Sequence, residues 1–252
     1  MTLDARPLSE LRKQQISDAR QHKKLAVAKL VSLFENRLKE SAQERHDIIC
    51  HLNATAERRD GCIIGFTGTP GAGKSTLIAE LSKAMLAHNP DISIAVLAVD
   101  PSSHISGGSI LGDRTRMRLT ENADRLYFRS QASNLELGGI TQATYHATRI
   151  LRYFYDFIFI ETVGIGQNEI DIQQMGHHTF LVMQPLAGDQ IQFMKCGIME
   201  IPDSFIINKC DEEKLARNSY YMLRTALKQA RLVELNASDN AAEAHKDHIF
   251  LV

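Results

Sequence analysis

Apolar residues recur along this chain in two different rhythms. Near the N-terminus Ala26, Val27, Leu30, Val31, Phe34 and Leu38 fall at helical spacing, with Lys23, Lys24, Lys29 and Arg37 toward water. Steps of three and four residues place such side chains on one stripe of a helix, so residues 1 to about 60 predict a charged N-terminal helical extension packed on a core. Glu35 and Glu40 interrupt the basic face, which argues against a membrane-surface helix. From Cys62 the rhythm changes. Short runs rich in β-branched and aromatic residues (Cys62 to Phe66, Ile92 to Val99, Leu126 to Phe128, Phe157 to Ile160, Phe180 to Met183, Ser204 to Ile207) alternate with helical stretches. Strand and helix in alternation call for right-handed βαβ units, so residues 61–252 predict an α/β domain built on a mainly parallel sheet with flanking helices.

Composition narrows the class. At 252 residues and 44% hydrophobic residues the chain can bury a full core. A formal net charge of -1 supplies no bulk attraction to nucleic acid or to anionic membrane, so neither is expected as a partner. Cys50, Cys62, Cys196 and Cys210 form no C-x-x-C pair and nothing resembles a signal peptide, which predicts reduced thiols in a cytoplasmic protein. The longest apolar stretches are too short to span a bilayer.

The chemistry is carried by strand ends. Between the first run and the helical stretch from Thr76 stands Gly68-Thr69-Pro70-Gly71-Ala72-Gly73-Lys74-Ser75, of the form G-x-x-x-x-G-K-S. Glycines let successive backbone N–H groups turn inward on an anion, and the helix that follows adds its positive N-terminal end. Residues Gly68, Pro70, Gly71, Ala72, Gly73, Lys74, Ser75 and Thr76 are thus the predicted phosphate-binding set of a P-loop NTPase, with Lys74 on the β- and γ-phosphates and Ser75 on Mg²⁺. In open α/β sheets ligands bind beyond the carboxyl ends of the strands. The second run ends in Asp100, whose carboxylate is a candidate metal ligand, direct or through water. The fourth ends in Glu161, three residues before Gly164; this spacing predicts Glu161 near the metal and the Gly164 N–H at the γ-phosphate. The sixth ends in Asn208-Lys209-Cys210-Asp211, an N-K-x-D element. Guanine offers two adjacent donors that one carboxylate can accept, and adenine does not, so Asp211 predicts GTP and GDP as ligands. Asn208 would bond base and loop, and the Lys209 stem would cover the ring.

With these elements placed, the chain resembles a known family. Val99-Asp100-Pro101-Ser102-Ser103, the stretch Gly107 to Met117, Leu137-Gly138-Gly139-Ile140, Glu161 to Glu169, Pro185-Leu186-Ala187-Gly188-Asp189-Gln190 and Gly197-Ile198-Met199-Glu200 resemble the methylmalonyl-CoA mutase-associated GTPase family, also called the MeaB/ArgK family, over about residues 20 to 215. The resemblance implies a dimeric Mg²⁺-dependent GTPase of the SIMIBI class. Its partner would be an adenosylcobalamin-dependent acyl-CoA mutase, whose cofactor loading it gates or protects. It further implies that residues 104 to 117 form a first switch with Asp113 near the metal, and that the Gly138-Gly139 segment faces the mutase. Gln167 lies close to Gly164 and could orient water or serve a surface hydrogen bond.

The chain also departs from that family. Leu186 stands where members carry a glycine, and the family's C-terminal dimerisation arm is not expected after Leu232-Val233-Glu234-Leu235-Asn236-Ala237-Ser238, which matches a late family strand. Three other readings stay open: a SIMIBI metallochaperone GTPase, a shortened nucleotide-binding homologue without turnover, and an arginine/ornithine transport-associated kinase. Adjacent residues on a helix share no face, so the pair His177-His178 reads as surface or cap histidines rather than a metal site.

Overall fold

The structure, a computed structural model, describes residues 4–36, 38, 40–55, 60–101, 123–133, 142–162, 168–185, 202–229 and 248–252. Seven strands form a sheet, and the four strand pairings recorded residue by residue are all parallel. The mainly parallel α/β architecture expected from the alternating rhythm is the one found. The chain divides into two compact units, residues 1–63 with 78–160, and residues 64–77 with 161–252.

In the first unit three helices, α1 (Glu10–Arg20), α2 (Lys24–Glu35) and α3 (Glu40–Ala54), precede strand β1 (Cys62–Gly68), which begins here. After α4 (Lys74–His88) come β2 (Ile94–Pro101), a 3-10 turn over Ala123–Arg125, β3 (Leu126–Ser133), α5 (Gln142–Leu151) and β4 (Phe157–Thr162). Strand order in this unit is β3-β2-β4, and Ile94 to Pro101 run beside Leu126 to Ser133. Helix α2 exists for the reason its spacing gives: Val27, Leu30, Val31 and Phe34 are fully buried, and α2 packs against α5. Burying each such side chain contributes about 1.5–3 kcal/mol relative to leaving it in water.

Two boundaries differ from expectation. The helix ends at Glu35 rather than continuing to Leu38, because Asn36 turns extended and its side-chain oxygen accepts from the Leu38 N–H at 2.9 Å. Leu38 is left 61% exposed. Strand β2 begins at Ile94 rather than Ile92. The Ile92 carbonyl accepts from Arg125 at 2.8 Å, and the Ser93 N–H and hydroxyl donate to the Asp156 carboxylate at 2.8 and 2.7 Å, so side chains occupy the groups a ladder would need.

The second unit carries β1 from Ile64, the loop after it, and the last two residues of β4. It continues through α6 (Asn168–Met175), β5 (His178–Met183), β6 (Ser204–Ile207), α7 (Glu213–Gln229) and β7 (Ile249–Leu251), with strands in the order β1-β5-β6-β7. Ile64 to Gly68 lie beside His178 to Val182, Phe180 to Met183 beside Ser204 to Ile207, and Phe205 to Ile207 beside Ile249 to Leu251. Helix α7 turns Tyr220, Leu223 and Leu227, spaced by three and four, onto Leu181, Phe205, Ile207 and Ile249. This packing fixes where β6 ends, and β6 delivers the N-K-x-D element. All six runs read from the sequence are strands. The seventh, β7, was not read: three residues give no alternation to detect.

Candidate functional site

The phosphate-loop sequence forms a strand–turn–helix. β1 ends at Gly68, residues 69–73 turn, and Lys74 is the first residue of α4. Two glycines are demanded by geometry. Gly68 has φ +144, and a Cβ there would lie 1.9 Å from the Val182 carbonyl oxygen of β5. At Gly73, φ +86, a Cβ would come within 2.6 Å of Asn208 Nδ2. A side chain at either position would collide with the strand or side chain that holds the loop in place.

Lys74 is buried, 6% exposed, and its Nζ donates to the carbonyls of Gly68 at 2.8 Å and Thr69 at 3.0 Å. Burial pulls its pKa below the ordinary lysine value, and the Glu161 carboxylate works in the opposite direction. The ammonium is therefore a poorly hydrated cation at the mouth of an N–H-rich loop, suited to exchange carbonyl partners for phosphate oxygens. Ser75, on the first turn of α4, donates its hydroxyl proton to Glu161 Oε1 at 2.6 Å. Glu161 is itself buried at the end of β4. A serine that gives its proton to a carboxylate keeps its oxygen lone pairs for a cation. Two hard oxygen groups held together this way fit Mg²⁺ by donor chemistry.

The N-K-x-D element sits against the same loop. Asn208 Nδ2 donates to the Ala72 carbonyl at 2.8 Å, and Lys209 Nζ to the Gly71 carbonyl at 2.8 Å. Lys209 takes φ 65, the left-handed conformation that turns its stem back over the loop. Asp211, two residues on, is exposed. The loop is tied from behind as well: the Cys210 N–H donates to the Val252 carbonyl at 3.0 Å and the Val252 N–H to the Ile207 carbonyl at 2.9 Å. Burial raises the Cys210 thiol above its usual pKa, with Asp211 adding to the rise, so this cysteine stays a neutral packing group.

The structure thus brings together Gly68, Gly71, Ala72, Gly73, Lys74, Ser75, Glu161, Asn208 and Lys209. Pro70 and Thr76 are exposed on the same loop and helix start. Asp100 is the penultimate residue of β2, paired in register with Ala132, and its side chain lies outside the described atoms. Asp113, Gly164, Gln167, the 104 to 117 and Gly138-Gly139 segments and Leu232 to Ser238 lie outside the described residues. His177 is exposed and His178 partly buried, and neither lies on a helix. α6 stops at Met175, and His178 opens β5 with Nε2 2.9 Å from Ser204 Oγ and its ring against Phe180. Their physical setting is a strand entry, decided by the pairing of His178 with Ile64.

One side chain of the site was missed. Gln184 Nε2 donates to the Gly71 carbonyl at 2.8 Å. Its signal was present, since Gln184 is the polar residue directly after the run Phe180 to Met183. Among the described residues no helix is long and apolar enough to cross a membrane, and no group of three or more His, Cys, Asp or Glu could hold a metal ion.

Comparison with known proteins points one way. The family model described as methylmalonyl Co-A mutase-associated GTPase MeaB matches residues 27–245. A Pyrococcus abyssi protein named as a GTPase is 42% identical over 203 residues, 80% of this chain and 60% of its own length. GTPase ArgK of Escherichia coli is 39% identical over 163 residues, 62% of this chain and 49% of its own. The mitochondrial methylmalonic aciduria type A homolog of Caenorhabditis briggsae is 39% identical over 162 residues, 63% of this chain and 39% of its own. The chain therefore spans only about 60% of the length of the Pyrococcus relatives. Among solved structures, a LAO/AO transport system kinase superposes with TM-score 0.64 at 23% identity, covering 98% of this chain and 70% of that one. HypB of Helicobacter pylori in complex with nickel superposes with TM-score 0.52 at 14% identity, covering 83% of each. These two likenesses concern the fold.

Proposed function

The chain belongs to the methylmalonyl-CoA mutase-associated GTPase family, and from that premise we propose that it binds and hydrolyses GTP and uses its nucleotide state to gate cofactor loading, or protection, of an adenosylcobalamin-dependent acyl-CoA mutase. One observation carries the nucleotide part: Asn208 and Lys209 hold the carbonyls of Ala72 and Gly71, so the base-selecting and phosphate-binding elements are one site. A guanine held at Asp211 then has its phosphates over residues 68–75.

The chain's own groups would act as follows. Backbone N–H groups of the loop receive the β-phosphate, and Lys74 moves its charge from the Gly68 and Thr69 carbonyls to the β- and γ-oxygens. Ser75 and Glu161, with Asp100 and Asp113 as the further candidates, would hold Mg²⁺. When bound there, the ion neutralises charge developing on the phosphates. Water attacks the γ-phosphorus, the bond to the β–γ bridging oxygen breaks, and GDP leaves with that electron pair while the water's proton passes to solvent or phosphate. Gly164 would report γ-phosphate loss to the switch segments. Phosphoryl transfer depends on positioning and charge, and no general base is assigned, so the isolated protein should turn over slowly until a partner orders the switches.

The mutase partner is supported by the family's name and by the methylmalonic aciduria type A relative. Calorimetric titration of an acyl-CoA mutase into the GDP form and into a GTP-analogue form tests it. Linkage requires different affinities for the two forms. Equal affinities, together with GTP turnover unchanged by mutase, would remove the chaperone role for that partner.

A further inference from the structure

We propose that Gln184 is a positioning residue for nucleotide binding, acting on the phosphate loop through the Gly71 carbonyl. The proposal rests on the phosphate-loop reading above and adds a residue to it. Gly71 stands at the crown of the loop with φ +79, and the following Ala72 N–H donates to the Thr69 carbonyl at 3.2 Å, closing the turn. The Gly71 carbonyl is held by two donors from two different strand ends, Gln184 Nε2 after β5 and Lys209 Nζ after β6, each at 2.8 Å. The next carbonyl, of Ala72, is held by Asn208. Three side chains thus fix two consecutive peptide planes, and only one of them, Gln184, belongs to neither the phosphate-loop motif nor the N-K-x-D element.

Its mounting suits the task. Met183 beneath it is buried and pairs in register with Ile207, the residue before Asn208, so Gln184 and Asn208 leave the sheet side by side. Val182 beneath that lies against Gly68, the first residue of the loop. A neutral amide also differs from Lys209 in what it does. Lys209 brings a charge that a phosphate can attract away from the carbonyl, whereas Gln184 holds the carbonyl without competing for the anion. Gln184 therefore keeps the Gly71–Ala72 peptide plane, and with it the crown of the phosphate loop, in place when Lys209 leaves the carbonyl.

The test uses the full chain, with affinities for GDP and a non-hydrolysable GTP analogue measured by titration calorimetry and folding checked by thermal denaturation without nucleotide. Gln184→Ala should weaken both nucleotides about fivefold, the effect of one hydrogen bond, with the nucleotide-free melting point unchanged. Gln184→Glu, of the same shape but with no donor and a negative charge, should weaken them further, and Gln184→Lys, which restores a donor, should recover most of the loss. The preference for GDP over the xanthine diphosphate should be the same in all variants, because the residue acts on the phosphate side. Wild-type affinity in Gln184→Ala, a loss that follows only a lowered melting point, or a changed base preference would overturn the proposal. Wild-type protein that binds neither nucleotide would overturn the phosphate-loop reading, and this proposal with it.

Discussion

Asp211 shows how far a single residue can be argued. Its proposed role rests on guanine chemistry, two donors for one carboxylate, and the structure leaves it exposed after a Lys209 with positive φ. Asp211→Asn should weaken GTP by roughly ten- to a hundredfold, the loss of one charge-assisted hydrogen bond, while improving binding of xanthosine triphosphate, whose 2-oxo group accepts where guanine donates. Competition against labelled GTP measures both; an unchanged preference for GTP would mean that another residue selects the base. Glu161 and Ser75 were legible because each closes a motif, yet their 2.6 Å hydrogen bond across 86 positions was not. Gln184 was overlooked because a lone glutamine after an apolar run signals a strand end as readily as a site.

At the scale of elements, the parallel strands made themselves visible because strands buried on both faces need continuous apolar runs. Their ends were less visible, because local side-chain competition set them: Asn36 stopped α2, and Asp156 with Arg125 displaced the start of β2. The approach of β1 to β5 yields a sharp expectation. Gly68→Ala would place a methyl 1.9 Å from the Val182 carbonyl in a conformation that L side chains avoid, so the two strands must part. The variant should lose at least about 2 kcal/mol of stability by chemical denaturation. Gly71→Ala, whose added atom would among the described residues meet only Gln184 Nε2 at 3.5 Å, should lose less despite φ +79. Equal losses would show that backbone strain, not the strand contact, governs the loop.

For the molecule as a whole, the phosphate loop, Glu161, Gln184 and the N-K-x-D element all fall in the unit formed by residues 64–77 and 161–252. Ligand binding to the folded state alone should then stabilise the chain by mass action, by about 2.7 kcal/mol at GDP a hundredfold above Kd. Hydrogen exchange should slow at 68–75 and 207–211 under the same conditions; no shift in denaturation with GDP would count against a preformed site. The sequence by itself determined the α/β class and the family, because periodicity follows burial and each motif is a local run whose chemistry is set by residue type. Only the tertiary structure decided that Asn208, Lys209 and Gln184 converge on the carbonyls of Gly71 and Ala72. It also decided that Val252, directly after the short strand β7, secures the loop before Asp211. The side-chain contacts join residues 113 to 138 positions apart, and their partners are backbone atoms, which every residue carries and no sequence pattern distinguishes.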